Sequence, residues 1–345
     1  MEYKIGFVGF GKRAKNTYLP VIKKLHPMLS VVGFWVRSPS KGQAIALENG
    51  LKFIPEIEKL LTESPDCLIV SVPSDAQYEV LSYLGRYDGT ILIETPVFDH
   101  KIVDLALDIG VLEQWPCLPL EQYKELLYEK GALERPFMVQ NDCRSLDYHA
   151  ISQLRTYLGR DIMPVYAVAQ GISTHMPTFN DKSGKERSAN ESWDMGLVKM
   201  SNGSVISHNF AYNCKVAPFR MVQTLRAYST NGTIITGMIT EKDNDYENVD
   251  IRCLAGKDTN IFDIEFKRDA SDTLIEIRDN DSGIAWINRF SNYELTDHQI
   301  AIAELLVRAC EDGPLYKVKD SLIDNVIISA IRQSIHSQNV VRLGQ

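Results

Sequence analysis

Residues 5–14, IGFVGFGKRA, decide how the first part of this chain folds. Ile5, Phe7 and Val8 form an apolar run that predicts a buried strand, and a G-x-G-x-x-A pattern follows it directly. In a dinucleotide-binding fold, the first glycine of this pattern permits a tight turn and the second lets the backbone approach a pyrophosphate. The small third residue lets the following helix pack closely on the strand.

The glycine pattern is followed by a segment that predicts a helix, whose free N–H groups would face a bound phosphate. We therefore expect the loop to bind a dinucleotide. The residues expected to contribute are Gly9, Phe10, Gly11, Lys12 and Arg13, with Ala14 as the small residue. The alternative is a plain strand–turn–helix unit in which the small residues serve only packing.

Composition restricts the classes of protein to which the chain can belong. Its 345 residues, 44% of them hydrophobic, suffice for two domains, and a net charge of −8 argues against general affinity for nucleic acid. The chain contains no run of 18 apolar residues, so the sequence predicts no membrane span. Six scattered cysteines without a C-x-x-C pair predict free thiols in a reducing cytoplasm and no metal centre.

Strands and helices alternate through the first third of the chain, which predicts a doubly wound parallel sheet of the Rossmann type over residues 1–118. Further strands are expected at 30–36, 67–73, 90–96 and 110–112. Helices are expected at 14–26, 39–49, 55–63, 75–85 and 101–108.

From residue 119 the pattern changes to successive strands with few helices between them. This predicts an α+β domain over 119–345 with a large, mostly antiparallel open sheet, whose last helices pack back on the first domain. Its strands are expected at 136–142, 164–172, 195–201, 204–212, 224–230, 232–239, 248–255, 261–266, 273–278 and 285–290. Its helices are expected at 119–130, 147–158, 296–311 and 320–337.

One strand of that sheet, SVISHNFAY at 204–212, carries apolar residues that suit an interface. Ile206, Phe210 and Tyr212 either join a homodimer or form the core of their own domain. His208 is expected on the surface of the sheet.

The end of the second strand predicts which dinucleotide binds. An acidic residue there would bond the ribose hydroxyls of NAD, whereas an arginine accommodates the 2′-phosphate of NADP. The chain has no carboxylate at that point, and Arg37, Ser38 and Lys41 follow the strand. We therefore expect NADP(H) in preference to NAD(H), the alternative being that Arg37 is a solvated loop residue.

Several segments together resemble one family, the Gfo/Idh/MocA oxidoreductases, named for glucose–fructose oxidoreductase and inositol dehydrogenase. They include the glycine pattern, LIVSVPSDAQYEV at 68–80, LIETP at 92–96, DYHAISQLRTYLG at 147–159 and the closing helices at 297–334. The resemblance implies a Rossmann domain followed by an open sheet through which oligomers form. It also implies NAD(P)-dependent redox chemistry on sugars, polyols, imines or related small molecules.

The chain departs from the family's E-K-P motif, in which the lysine lies near the nicotinamide and positions or protonates the substrate. Here the triplet is Glu94-Thr95-Pro96. Thr95 donates a hydrogen bond but carries no charge, and its hydroxyl is a poor acid near neutral pH. We expect Glu94 to support the cofactor side of the site.

The proton that accompanies hydride transfer needs another donor. The resemblance points to His149, which matches approximately a D-x-x-x-H motif at the start of a helix, and histidine titrates near neutral pH. Tyr148 is the second candidate donor, and Asp147 either caps the helix or touches substrate. Asn141 and Arg144 are expected to line the cleft.

Ligands of open parallel sheets lie at the carboxyl ends of the strands, which indicates further contacts to the cofactor. Pro73 and Ser74 end the third strand and are expected near the nicotinamide ribose, with Gln77 one turn later. Gln114 follows the fifth strand and is expected to contact nicotinamide or substrate.

The chain is therefore expected to be an NADP(H)-dependent oxidoreductase acting on a small polar carbonyl, imine or sugar-like compound. The alternative is a cofactor-binding regulatory or interaction protein on the same scaffold, suggested by the missing lysine.

Overall fold

The computed structural model describes residues 2–143, 147–176, 179–180, 186–187, 190–212, 222–240, 245–255 and 258–343. The chain divides into two compact units. The first comprises Met1–Tyr123, Glu265–Arg278 and Ala285–Leu322, and the second comprises Lys124–Ile264, Asp279–Ile284 and Ile323–Gln345.

The first nine strands are β1 (Tyr3–Val8), β2 (Leu29–Trp35), β3 (Cys67–Val70), β4 (Thr90–Ile93), β5 (Ile109–Val111), β6 (Met138–Asp142), β7 (Pro164–His175), β8 (Phe179–Asn180) and β9 (Glu186–Arg187). The others are β10 (Asn190–Met200), β11 (Val205–Ala211), β12 (Val222–Ser229), β13 (Gly232–Thr240), β14 (Asp245–Ala255), β15 (Asp258–Ile261), β16 (Ile264–Arg268), β17 (Leu274–Asp279), β18 (Ala285–Ile287) and β19 (Val341–Arg342). The helices are α1 (Leu19–Lys24), α2 (Pro39–Asn49), α3 (Ile57–Thr62), α4 (Gln77–Tyr83), α5 (Pro119–Glu129), α6 (Asp147–Leu158), α7 (Asp297–Glu311) and α8 (Val318–Ser337).

The first unit is built on a five-stranded sheet of order β2-β1-β3-β4-β5 in which all neighbours run parallel. Its central strands are apolar on both faces, as parallel sheets covered by helices require, and Ile5, Phe7 and Ile69 are fully buried. The predicted Rossmann sheet is confirmed.

Two helical segments of this unit differ from the predicted regular helices. We expected a helix at 101–108, but the structure has a 3₁₀ turn over His100–Asp104. The side chains of this segment that pack on the core are Ile102, Leu105 and Leu107. Their spacing of three and then two residues does not match the spacing of one face of an α-helix. The helix expected at 14–26 begins with a π-helical turn, Ala14–Tyr18.

The second unit contains a nine-stranded sheet of order β15-β14-β13-β12-β6-β11-β10-β7-β19. All neighbours are antiparallel except β6 and β11, so the predicted open, mostly antiparallel sheet is confirmed. Gly171 and Gly196 permit α8 to approach one face, since a Cβ at Gly171 would lie 2.6 Å from Ile335 and one at Gly196 3.0 Å from Ile331.

That covered face contains the core of the second unit. Ile206 and Phe210 are buried there, which supports the second of the two interpretations, a core of their own domain. His208 lies between them in a strand of period two and therefore shares their face. The prediction that His208 lies on the surface is wrong, because only 2% of it is exposed.

The opposite face of the sheet carries exposed apolar side chains on β7 and β10. Val168 and Ile172 lie on β7, and Met195 and Leu197 lie on β10, each between 40% and 47% exposed. Leu197 is directly opposite Val168 in the antiparallel register. This face is available for an interaction with another surface.

Candidate active site

The glycine loop joins β1 to the helical segment at the carboxyl edge of the parallel sheet. Gly9 has a φ of +82°, and a Cβ there would lie 2.4 Å from the carbonyl oxygen of Ser71, so only glycine fits. A Cβ at Gly11, by contrast, would meet no atom of the described residues within 4 Å, apart from those of its chain neighbours. The backbone at Gly11 therefore leaves room for a ligand group to approach, which is what a pyrophosphate requires.

The side chains of the loop have different environments. Phe10 is buried and packs against Phe7 and Phe34, with ring centroids 5.1 and 5.0 Å apart, so only its backbone is available to a ligand. Lys12 and Arg13 are exposed.

The π-helical turn sets the direction of the Arg13 side chain. The N–H of Leu19 donates to the carbonyl of Ala14, five residues earlier, and Pro20 supplies no N–H for an ordinary α-helical bond. In a regular α-helix, residues five apart point about 140° from each other. A turn closed over five residues places Arg13 and Tyr18 on the same side.

Both side chains meet the carboxylate of Glu94, which follows β4. The hydroxyl of Tyr18 donates to Oε1 of Glu94 at 2.7 Å, and Nε of Arg13 lies 3.5 Å from the same oxygen. The guanidinium of Arg13 also donates to the hydroxyl of Tyr18 at 3.4 Å and lies 5.6 Å from the centre of its ring. We call these three residues the Glu94 cluster.

The Glu94 cluster is held at the end of the sheet by the backbone. The N–H of Thr95 donates to the carboxylate of Glu94, and Nε2 of Gln77 donates to the carbonyl of Glu94 at 2.8 Å. Burial raises the pKa of Glu94, and the charge of Arg13 and the hydrogen bond from Tyr18 oppose that rise. Burial also raises the pKa of Tyr18 well above its usual value, so this hydroxyl keeps its proton and acts as a hydrogen-bond donor.

Other predicted cofactor residues lie along the same edge. Ser74 begins a 3₁₀ turn directly after Pro73, and Gln77 begins α4. Oε1 of Gln77 and Oε1 of Gln114 are buried and have no hydrogen-bond partner in the described part of the chain, so each is an acceptor that a ligand donor could satisfy. Their contacts with a cofactor stay predictions.

The residues expected to select the dinucleotide follow β2. Arg37 is exposed, and among the described residues no carboxylate pairs with it. Ser38 precedes α2 with extended backbone, and its hydroxyl lies 3.2 Å from that of Ser40. Lys41 is exposed on the first turn of α2.

The predicted proton donors begin α6 in the second unit. Tyr148 and His149 are half-buried, with ring centroids 4.2 Å apart. Asp147 accepts from the N–H of Tyr148 at 2.9 Å and forms an ion pair with Arg332 of α8, so it is part of a fixed structure. Arg144 lies outside the described residues.

A buried polar pair in the second unit was missed by the sequence analysis. Asn141, expected to line a cleft, is fully buried, and its Nδ2 lies 3.3 Å from Nδ1 of His208. Burial lowers the pKa of His208 to about 4, so the ring is neutral at pH 7. The even spacing of Ile206, His208 and Phe210 was the signal that could have revealed this.

Within the residues that the structure describes, no group of three His, Cys, Asp or Glu side chains could hold a metal ion. Across the same residues, no helix has the length and apolar character needed to cross a bilayer.

Comparison with known proteins identifies the first part of the chain. Residues 3–104 match the oxidoreductase family GFO_IDH_MocA, described by its NAD-binding Rossmann fold. No curated protein sequence matches the chain significantly.

Solved structures of similar fold cover almost the whole chain. A putative NADPH-dependent oxidoreductase from Desulfitobacterium hafniense is 13% identical, with a TM-score of 0.66 and coverage of 99% of this chain and 98% of the other. Aldose-aldose oxidoreductase from Caulobacter crescentus is 13% identical, with a TM-score of 0.64 over 99% and 100%. The WlbA dehydrogenase from Bordetella pertussis, complexed with NADH and UDP-GlcNAcA, is 13% identical, with a TM-score of 0.64 over all of both chains. At this identity the likeness is one of fold.

Proposed function

We propose that this chain, whose residues 3–104 form a Gfo/Idh/MocA NAD-binding Rossmann domain, is an NADP(H)-dependent oxidoreductase acting on a small polar carbonyl, imine or sugar-like substrate. The observation that carries the proposal is the contrast at the glycine loop, where Gly9 admits no side chain and Gly11 leaves open space. A nicotinamide cofactor supplies or accepts the hydride when bound.

Residues of the first unit would hold the cofactor. The backbone of Gly9, Phe10, Gly11, Lys12 and Arg13 would face the pyrophosphate, in keeping with the free N–H groups of a helix start. Pro73, Ser74, Gln77, Glu94 and Gln114 would line the nicotinamide half along the sheet edge.

Preference for NADP(H) is supported by Arg37, an exposed guanidinium without a carboxylate partner in the described structure. Arginine suits a phosphate because its planar fork donates two parallel hydrogen bonds. Ser38 and Lys41 would assist.

Titration of the purified protein with NADPH and NADH, followed by fluorescence, tests the proposal. Tighter binding of NADPH is expected, and Arg37→Asp should reverse it. The matched control is Arg86→Asp, which makes the same charge change before β4, at the opposite edge of the sheet. Equal affinity for NADPH and NADH would contradict the proposed preference for NADP(H). If the protein bound neither cofactor, the oxidoreductase proposal would be wrong.

For the proton we propose His149, with Tyr148 as the second donor and Thr95 as a hydrogen-bond donor to substrate. The half-buried ring of His149 supports its choice. His149→Ala should lower turnover roughly 10²-fold if it is the general acid. A loss of only a few-fold would remove it from that role.

A second candidate function follows from Thr95, which gives the E-T-P segment no charge. On this view the chain is a regulatory or interaction protein that binds NADP(H) without turnover. NADPH oxidation by any member of a carbonyl and imine panel would exclude it.

We further propose a homodimer or larger homo-oligomer through the exposed face of the nine-stranded sheet, in a reducing cytoplasm. The apolar side chains of β7 and β10 support the first part, and the absence of disulfides among the five described cysteines supports the second. Light scattering should give a dimer or larger for the wild type and a monomer for Leu197→Glu. Leu47→Glu on α2, where Leu47 is 89% exposed, is the matched control.

A further inference from the structure

We propose that the guanidinium of Arg13 binds the substrate oxygen that becomes negative during hydride transfer, at the nicotinamide end of the site. This inference rests on the proposed function and deepens it, because it assigns a substrate contact to a residue of the glycine loop. It also restricts the substrate to one with an oxygen at the reacting carbon.

The order of the strands places Arg13 at the correct end. In a dinucleotide-binding sheet the pyrophosphate lies at the turn after β1, and the adenosine ribose lies at the end of β2. The nicotinamide half must therefore extend the other way, over β3 and β4. Glu94 directly follows β4, and Nε of Arg13 lies 3.5 Å from its carboxylate. The Arg13 side chain consequently reaches away from the pyrophosphate toward the nicotinamide end.

The protein contacts of Arg13 fix the position of its guanidinium and leave some of its N–H groups available to a ligand. The carboxylate of Glu94 already accepts from the hydroxyl of Tyr18 at 2.7 Å and from the N–H of Thr95. Nη2 of Arg13 donates to Tyr18, while Nη1 has no protein partner among the described residues. One edge of the guanidinium is therefore held by the protein, and the other can donate to a ligand.

A structural ion pair of the second unit has a different character. The side chains of Arg155 and Asp324 are 0% and 4% exposed, and no solute could reach their 2.8 Å contact. The side chain of Arg13 is 47% exposed, while that of its partner Glu94 is 10% exposed. An arrangement in which the carboxylate is covered and the guanidinium is open suits the binding of an anionic oxygen.

The chemistry of the step matches these properties. In the reducing direction hydride adds to the carbonyl carbon, the π electrons of the C=O bond move to the oxygen, and a separate donor supplies the proton. Arginine stays charged at every relevant pH, so Arg13 stabilises the oxygen but does not supply that proton. Thr95, the residue next to Glu94, carries no charge for this task.

Sulfite binding tests the inference without knowledge of the substrate. Sulfite attaches through sulfur to C4 of an oxidised nicotinamide, and so brings a negative charge to the place where a substrate oxygen would lie. Its affinity for the protein in saturating NADP⁺ can be measured by near-ultraviolet absorbance. We expect Arg13→Gln to weaken sulfite binding by about tenfold or more, as loss of a charged hydrogen bond predicts. NADP⁺ itself should bind within a few-fold of wild type, because the proposed contact of residue 13 with the pyrophosphate is made by the backbone, which glutamine keeps.

Two further variants distinguish a charge effect from a folding effect. Arg13→Gln combined with Thr95→Lys returns a cation next to Glu94 and should recover most of the sulfite affinity. Lys15→Gln is the matched control, because Lys15 lies on the same helical turn but pairs with Glu48 at 2.5 Å, and it should leave sulfite binding unchanged.

The outcomes separate this inference from the proposed function. Sulfite affinity unchanged in Arg13→Gln, with NADP⁺ still bound, would overturn the inference alone. Failure of Thr95→Lys to restore affinity would also overturn it, since a local cation is what the inference requires. If the wild type binds no NADP⁺, the proposed function fails and the inference fails with it.

Discussion

The hydroxyl of Tyr18 donates a 2.7 Å hydrogen bond to Oε1 of Glu94, a residue 76 positions further along the chain. This contact joins the helical segment after the glycine loop to the end of β4. Both side chains are buried, so neither can exchange its partner for water.

Removing the Tyr18 hydroxyl should destabilise the first unit. Tyr18→Phe leaves a buried carboxylate with one donor fewer, which should lower the free energy of unfolding by about 1–3 kcal/mol. Urea unfolding followed by fluorescence measures this change. Tyr83→Phe on α4, where the tyrosine is 64% exposed, should have almost no effect, and equal effects of the two variants would contradict the prediction.

Glu94 should make stability depend on pH. Because burial raises its pKa in the folded protein, the native state holds the proton more tightly than the unfolded state. Stability should therefore fall as pH rises from the unfolded pKa, about 4.3, through the raised folded pKa. Urea unfolding at pH 5 and pH 8 should show a smaller difference for Glu94→Gln than for the wild type. An unchanged difference would show that Glu94 has an ordinary pKa.

His208 should make the free energy of unfolding decrease at acid pH, the opposite of the pH dependence expected from Glu94. Its folded pKa of about 4 lies below the unfolded value of about 6.5, so the unfolded state binds the proton first. Its contribution should be lost as pH falls from about 6.5 to 4, amounting to roughly 3 kcal/mol at the acid end. Unfolding curves of His208→Gln should lack this dependence, whereas His175→Gln at an exposed site should keep it.

The buried pair of Arg155 and Asp324 should be costly to break singly. Arg155→Met takes the guanidinium away from the buried carboxylate of Asp324, which should cost about 3–5 kcal/mol in urea unfolding. Arg155→Met with Asp324→Leu removes both charges and should recover part of that loss. Arg252→Met, which breaks an exposed pair with Asp250, should cost at most about 1 kcal/mol.

Substitution of the two loop glycines should have different effects, one on stability and the other on NADPH binding. Gly9→Ala forces a Cβ to 2.4 Å from the carbonyl oxygen of Ser71 and should destabilise the whole domain, visible in the melting temperature. Gly11→Ala meets no protein atom and should melt as the wild type does, yet bind NADPH more weakly. Unchanged NADPH affinity in Gly11→Ala would show that the loop does not contact the cofactor.

Much of the fold could be predicted because local patterns specify it. The apolar run before Gly9 and the turn it requires both depend on neighbours in the sequence, and the structure has both. Helix α6 has the predicted bounds, because its apolar residues repeat at helical spacing. The alternation of His208 with Ile206 and Phe210 was equally visible, and it places the three side chains on one face of the strand, so a surface position for His208 did not follow from it.

The Glu94 cluster could not be predicted, since its members come from separate segments. Nothing near Glu94 in the sequence indicates a partner in the glycine loop, and the glycine pattern indicates only a backbone contact. Pro20 was the one local signal of an irregular helix, yet the direction of the resulting shift depends on how the turn closes.

The π-helical turn makes the length of one short segment matter more than its composition. In a regular α-helix Arg13 and Tyr18 would point about 140° apart, because they are five positions apart in the sequence. The π-helical turn brings both to one side with every residue in place. Deleting Asn16 would leave them four positions apart, a spacing that a regular α-helix already places on one face. An alignment that absorbs a gap of one residue at this position would therefore join two proteins that present the same pair of side chains from two different kinds of helical turn.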